Sequence, residues 1–168
     1  MTDLELSTDG SVLVAASEKN VEVYSKEDGK FGLSQTLEFG ESQKSIQLTE
    51  DGEHLVVSSQ EQKTVTVLEK IGSEFKKLTE LRFYWETYSA AFDAAKRLLV
   101  VGTYGGSFVY DGVLEGARKQ IQTLNRSKVV AFSQLGKVIM GWQGTVEVYQ
   151  TCADGQYFDS SSAECRQC

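Results

Sequence analysis

The chain is 168 residues long, enough to bury a sizeable core, and sets 24 Asp and Glu against 17 Lys and Arg, for a net charge of -7 and a pI near 4.8. That balance argues against nucleic acid, which needs clustered Lys and Arg, and the two signs alternate without blocks, as on an ordinary solvated surface. Apolar runs such as Leu98 to Val101 are far too short to cross a bilayer, and nothing after Met1 reads as a secretory signal, so a secreted parent protein would carry one upstream.

In chain order, short segments rich in Val, Ile, Leu and Tyr alternate with Gly-containing turns and fall into four units. The first, near 1–44, runs Leu4 to Gly10, Val12 to Ala16, and Val21-Glu22-Val23-Tyr24. The second, near 45–87, runs Ile46 to Gly52, His54 to Val57, and Val65 to Leu68. The third, near 88–126, has Ala90-Ala91-Phe92, Leu98 to Val101, and Ser107 to Tyr110. The fourth, near 127–150, has Val130-Ala131-Phe132, Val138 to Met140, and Val146-Glu147-Val148-Tyr149.

Equivalent positions are Gly10, Gly52, Lys96 and Gly136, giving steps of 42, 44 and 40 residues. Each unit therefore supplies three antiparallel strands, labelled a, b and c. A fourth, d, is readable at Gly32 to Phe39, Glu74 to Phe83 and Ala117 to Leu124, where polar and apolar residues alternate. Asp9-Gly10 and Asp51-Gly52 join strands a and b, because Gly tolerates positive φ and Asp bonds its own turn. Helical periodicity is weak, its best stretch being Tyr88 to Leu98 inside the third unit.

The segments Leu6-Ser7-Thr8-Asp9-Gly10-Ser11-Val12-Leu13-Val14-Ala15-Ala16 and Leu48-Thr49-Glu50-Asp51-Gly52-Glu53-His54-Leu55-Val56-Val57-Ser58 resemble the strand pair of the WD-repeat propeller superfamily. Two signatures of that family are missing. Tyr24, Leu68, Tyr110 and Tyr149 stand where strand c would end in Trp-Asp, and no Gly-His precedes strand a. The resemblance covers about residues 1–150 and implies an all-β fold of about four antiparallel propeller blades. It implies no particular function.

Blades are stable as a ring, each sheet packing on two neighbours. The chain opens on strand a and leaves the repeat after strand c of the fourth unit, so the expectation is a propeller fragment. Missing blades, with the outer strand that closes the ring, would precede Met1. The alternatives are a self-contained four-bladed ring and a second chain completing the circle.

Residues 151–168 change character. Cys152-Ala153-Asp154-Gly155-Gln156-Tyr157-Phe158-Asp159 through Cys165-Arg166-Gln167-Cys168 resembles the start of a growth-factor-receptor-like (furin-like) cysteine-rich repeat of ciliate surface proteins. That resemblance implies disulfides on an extracellular stalk, with Cys152, Cys165 and Cys168 as candidates and at least one partner outside the chain. A zinc site and reduced thiols are the other readings, although a closed zinc site wants a fourth ligand. Asn125-Arg126-Ser127 is an N-glycosylation acceptor triplet in the third d–a connection.

Chemistry is sparse. With one His, His54 on a strand, general-base and nucleophilic schemes have little to work with, and Gly102-Thr103-Tyr104-Gly105-Gly106 reads as a b–c turn, having no phosphate-loop Lys. Asp9, Asp51 and Asp93 recur with the repeat as turn formers. We therefore expect a non-enzymatic scaffold with no cofactor and no bound metal. The feature that suggests binding is aromatic. In a WD-like ring the d–a and b–c connections open on one face, which would gather Tyr84, Trp85, Tyr88, Tyr104 and Trp142 on a rim suited to a protein or glycan partner. An extracellular or cell-surface setting is expected, the alternative being a subunit of an intracellular assembly with reduced cysteines.

Overall fold

The computed structural model describes residues 3–17, 19–39, 45–95, 97–115, 119–133, 137–150, 156–159 and 164–167. The first sheet is β1 (Asp3–Leu6), β2 (Val12–Ala16), β3 (Asn20–Glu27) and β4 (Lys30–Glu38), hydrogen-bonded in that order. The second repeats it with β5 (Ser45–Leu48), β6 (His54–Ser59), β7 (Thr64–Ile71) and β8 (Glu74–Arg82). The third has β9 (Thr87–Asp93), β10 (Leu98–Thr103), β11 (Gly106–Asp111) and β12 (Lys119–Leu124), with a single 3-10 turn at Val113–Glu115. The fourth has β13 (Val129–Phe132), β14 (Lys137–Trp142) and β15 (Thr145–Gln150). A short hairpin, β16 (Gln156–Asp159) with β17 (Glu164–Gln167), follows. All these pairings are antiparallel, and the weak helical stretch at Tyr88 lies in β9 instead.

The turns explain why the first two units look alike. Ser7 Oγ donates to Asp9 Oδ1 at 2.7 Å and accepts the Val12 N–H at 2.9 Å, while the Ser11 N–H donates to Asp9 Oδ1 at 2.9 Å. Thr49, Asp51, Glu53 and His54 repeat the set, with Thr49 Oγ1 to Asp51 Oδ1 at 2.6 Å. Gly10 and Gly52 follow at φ 69 and 70, where a β-carbon is disfavoured. The pairing of strand c with strand d also recurs, slipping by one residue at Val23/Tyr24, Val67/Leu68 and Val109/Tyr110.

Packing is between sheets. Val12, Val14, Val21 and Val23 of the first sheet meet Ile46, Leu55, Val57 and Phe75 of the second. The other face of the second, with Val56, Val65, Val67 and Leu81, meets Ala90, Phe92, Leu99 and Val101 of the third. The third then packs through Val100, Val109 and Leu124 on Val130, Val138 and Met140 of the fourth. Strands in the middle of this row bury both faces, which is why Leu98–Thr103 is buried at every position without alternation. Burying each such Val or Leu side chain contributes about 1.5–3 kcal/mol. Glutamine amides add polar clamps: Gln35 exchanges two hydrogen bonds with the Phe75 backbone, and Gln47 does so with Phe92.

At the two ends of the row the pattern stops. The face of the first sheet turned away from the second leaves Leu4, Leu6 and Leu33 exposed, and the outward face of the fourth does the same with Val129, Val146 and Val148. In the fourth sheet β15 is an edge, whereas strand c of each other sheet has a fourth strand beside it.

Candidate functional site

Successive strands run in opposite directions, so the b–c turn and the d–a connection leave each sheet at the same end. Backbone bonds tie them together there. The Phe83 N–H donates to the Lys63 carbonyl at 2.8 Å, Tyr104 N–H to Glu86 at 3.0 Å, and Lys128 N–H to Gly141 at 2.9 Å. Thr87 Oγ1, fully buried, donates to the Ser59 carbonyl at 2.6 Å.

This end carries all five aromatic residues expected on the rim. Tyr84 lies edge-on to Trp85 with ring centroids 4.9 Å apart, Trp85 lies 5.9 Å from Tyr104, and Tyr88 lies 6.2 Å from Trp142. Two cations join the groups. The Arg126 guanidinium stands over Tyr104 at 5.1 Å and Trp142 at 5.8 Å, and the Lys128 ammonium stands 5.6 Å from both Tyr88 and Trp142. Lys63 lies 5.9 Å from the Tyr84 ring. The result is one continuous aromatic and cationic strip across the second, third and fourth sheets. Tyr84 is 81% exposed, Tyr104 46% and Trp85 43%, while Tyr88 and Trp142 are half-buried.

Two glycines make room for it. A β-carbon on Gly105 would stand 2.0 Å from Trp85 Cδ1, so the indole occupies the space a side chain would fill there. One on Gly102 would meet the Ser127 carbonyl oxygen at 2.8 Å. Ser127 itself is buried, its hydroxyl 2.7 Å from that of Ser107, which fixes the connection bearing Arg126 and Lys128. At Trp142 the chain reverses through Gln143 and Gly144 at φ 46 and 85, a tight hairpin turn that holds the indole at the strand end.

The carboxylates nearby are already engaged. Glu86 accepts from Gln60 at 2.8 Å and from the Tyr88 hydroxyl at 3.1 Å. Burial, then that carboxylate, raises the Tyr88 pKa above its ordinary value. Asn125 donates to Glu147 at 3.2 Å and to the Tyr149 hydroxyl at 3.2 Å, and Tyr149 donates to Glu147 at 2.6 Å. Burial and the Glu147 carboxylate push the Tyr149 phenol up to about 12. The acceptor nitrogen of the glycosylation triplet is thus exposed but occupied in a side-chain network. A recess of about 270 Å³ opens beside it, lined by Arg126, Met140, Trp142, Thr145 and Glu147.

Sequence reasoning missed Arg126, Lys128, Lys63 and Glu86. Of the four, Glu86 shares a connection with Tyr84 and Trp85, and that adjacency was its available signal; Lys63, Arg126 and Lys128 come from other connections and meet the rings only through the fold. His54 packs edge-on to Phe92 with centroids 5.5 Å apart, its buried Nδ1 without a hydrogen-bond partner, at the junction of the second and third sheets. A recess of about 520 Å³ at the opposite end of the sheets is lined by Gln47, Thr49, Asp51, Phe92 and Ser133. Among the described residues no group of three His, Cys, Asp or Glu is placed to hold a metal. Cys152 and Cys168 lie outside the described residues, and of Cys165 only its backbone place on β17 is described.

No protein-family model and no curated protein matches the sequence. Solved structures do. The β-propeller domain of Myceliophteria thermophila Cps50 (Swd1) superposes with a TM-score of 0.74 at 12% identity, over 90% of this chain and 54% of that one. The fold is a β-propeller. Hydrazine synthase of Kuenenia stuttgartiensis superposes with a TM-score of 0.67 at 16% identity, over 96% of this chain and 46% of that one. This propeller chain therefore spans about half the length of the structures it matches, and each of its first four sheets is a blade.

Proposed function

We propose that this propeller is the non-enzymatic interaction part of a larger protein and that it takes a protein or glycan partner on the rim built by Tyr84, Trp85, Tyr88, Tyr104 and Trp142. One observation carries the reading: five aromatic side chains from three separate connections form a continuous, largely exposed strip. Aromatic residues with polar handles supply large contact area at low entropic cost. Nothing in the packing of the blades requires Tyr84 or Trp85 to stand in water. The uncovered apolar faces at the ends of the row suit further blades, or a second chain, completing the ring.

We place the protein at the cell surface, with Cys152, Cys165 and Cys168 beginning a disulfide-bonded cysteine-rich stalk. Mass measurement after alkylation, with and without reductant, separates this from an intracellular assembly subunit whose thiols are free. The rim itself is tested by Trp85→Ala with Trp142→Ala. The double variant should fold, by its far-ultraviolet circular dichroism, and lose partner binding at least tenfold; unchanged binding would remove the rim from the account.

A further inference from the structure

We propose that Arg126 and Lys128 make this rim a reader of carboxylates, and that its ligand is an acidic segment of a partner protein; the inference rests on the rim being the binding surface. Arg126 and Lys128 flank buried Ser127, and both cations reach the Trp142 ring, so both side chains stand on the same side of the connection. Each cation is held against two aromatic rings. A ring attracts the charge but uses none of the N–H donors at the guanidinium edge or on the ammonium. Among the described residues neither cation has a carboxylate within ion-pair distance, in contrast to Lys77 and Arg82, which both pair with Glu80. The donors are therefore positioned, partly desolvated on one side, and open on the other.

Charge supports the same ligand. In a chain of net charge -7, this connection places two cations beside each other, with Lys63 further along the same strip. Screening over about 8 Å at physiological ionic strength hides most of the distant acidic surface from a bound segment. The neighbouring carboxylates, Glu86 and Glu147, already accept hydrogen bonds from Gln60, Tyr88, Asn125 and Tyr149. Glu147 also lines the recess beside Trp142, so that recess suits a neutral side chain while the anion stays at its mouth on Arg126. A peptide can alternate acidic and neutral residues in this way. A sulfated glycan, with anions along its whole length, would bring them against Glu86 and Glu147.

Selection of random dodecapeptides on the full chain tests the assignment. The chain has two tryptophans, Trp85 and Trp142, both in the strip, so their fluorescence reports occupancy directly. Selected sequences should be enriched in Asp and Glu. Their affinity should fall about tenfold or more in Arg126→Gln/Lys128→Gln and weaken steeply as salt is raised. Acidic peptides indifferent to that double variant, or a heparin-derived oligosaccharide binding more tightly than any selected peptide, would overturn the proposal. Neutral peptides lost in Trp142→Ala but kept in Arg126→Gln/Lys128→Gln would overturn the carboxylate assignment and leave the rim as a binding surface. Peptides indifferent to both variants would remove the rim reading as well.

Discussion

At the scale of single residues, the site depends on what is missing from Gly105 as much as on what Trp85 contributes. A methyl group there cannot coexist with the indole at 2.0 Å, so Gly105→Ala should expel Trp85 into water. The expected readout is a red-shifted tryptophan emission, with stability changed by only about 1 kcal/mol because a surface ring is displaced and no core is opened. An unshifted spectrum would mean that the indole does not lie on that turn. Asp9 makes a second residue-level prediction. Hydrogen bonds from Ser7 and Ser11 hold its carboxyl down at about 2, against an ordinary 3.8. For Asp51, burial acts the other way, but bonds from Thr49 and the Glu53 N–H outweigh it and its pKa is also lowered. Folded-state values below the unfolded ones mean stability that is present above about pH 4 and is lost as pH falls toward 2. Chemical denaturation between those limits should show a declining midpoint, with a smaller decline in Asp9→Asn.

At the scale of elements, the a–b turns were legible because their chemistry is local. Ser-Thr-Asp-Gly and Thr-Glu-Asp-Gly put donor, acceptor and left-handed Gly within four positions, and the bonds formed are those the spacing implies. Thr49→Val removes its hydroxyl's bonds to the His54 N–H and Asp51 together and should cost about 1–2 kcal/mol by equilibrium unfolding. The b–c turns were legible in the same way, which is how Tyr104 and Trp142 could be assigned to one rim. Arg126 and Lys128 were not legible. A cation over a ring is a tertiary contact between blades, and in sequence these two side chains look like any solvated loop charges. The outer strand of the third blade, expected over Ala117 to Leu124, is present as β12 over Lys119–Leu124, and Ala117 lies outside the described residues.

At the scale of the molecule, the forty-residue period carried the architecture because a sheet of this size cannot hide its own apolar faces. Three inter-sheet cores serve four sheets, which leaves one uncovered face at each end of the row. Exposed apolar faces of that extent invite association. Light scattering should therefore show concentration-dependent self-association of this chain, reduced by Val146→Lys with Val148→Lys, whose parent side chains are 72% and 58% exposed. A chain that stays monomeric at every concentration would show that these faces are not sticky enough to recruit a neighbour. Removing Leu99, buried between the second and third blades, should cost about 2–5 kcal/mol on truncation to Ala, since the opened cavity has sheet on both sides.

The account turns on a cationic, aromatic strip formed where separate connections converge, on a chain that is acidic as a whole. Quenching of tryptophan fluorescence by iodide and by caesium at equal ionic strength reads that local field at the two indoles. With each quenching constant divided by that of free N-acetyltryptophanamide, the structure predicts the larger ratio for iodide, an advantage that disappears in Arg126→Gln/Lys128→Gln. A normalised ratio for caesium equal to or above that for iodide, as the net charge of -7 alone would dictate, would contradict it.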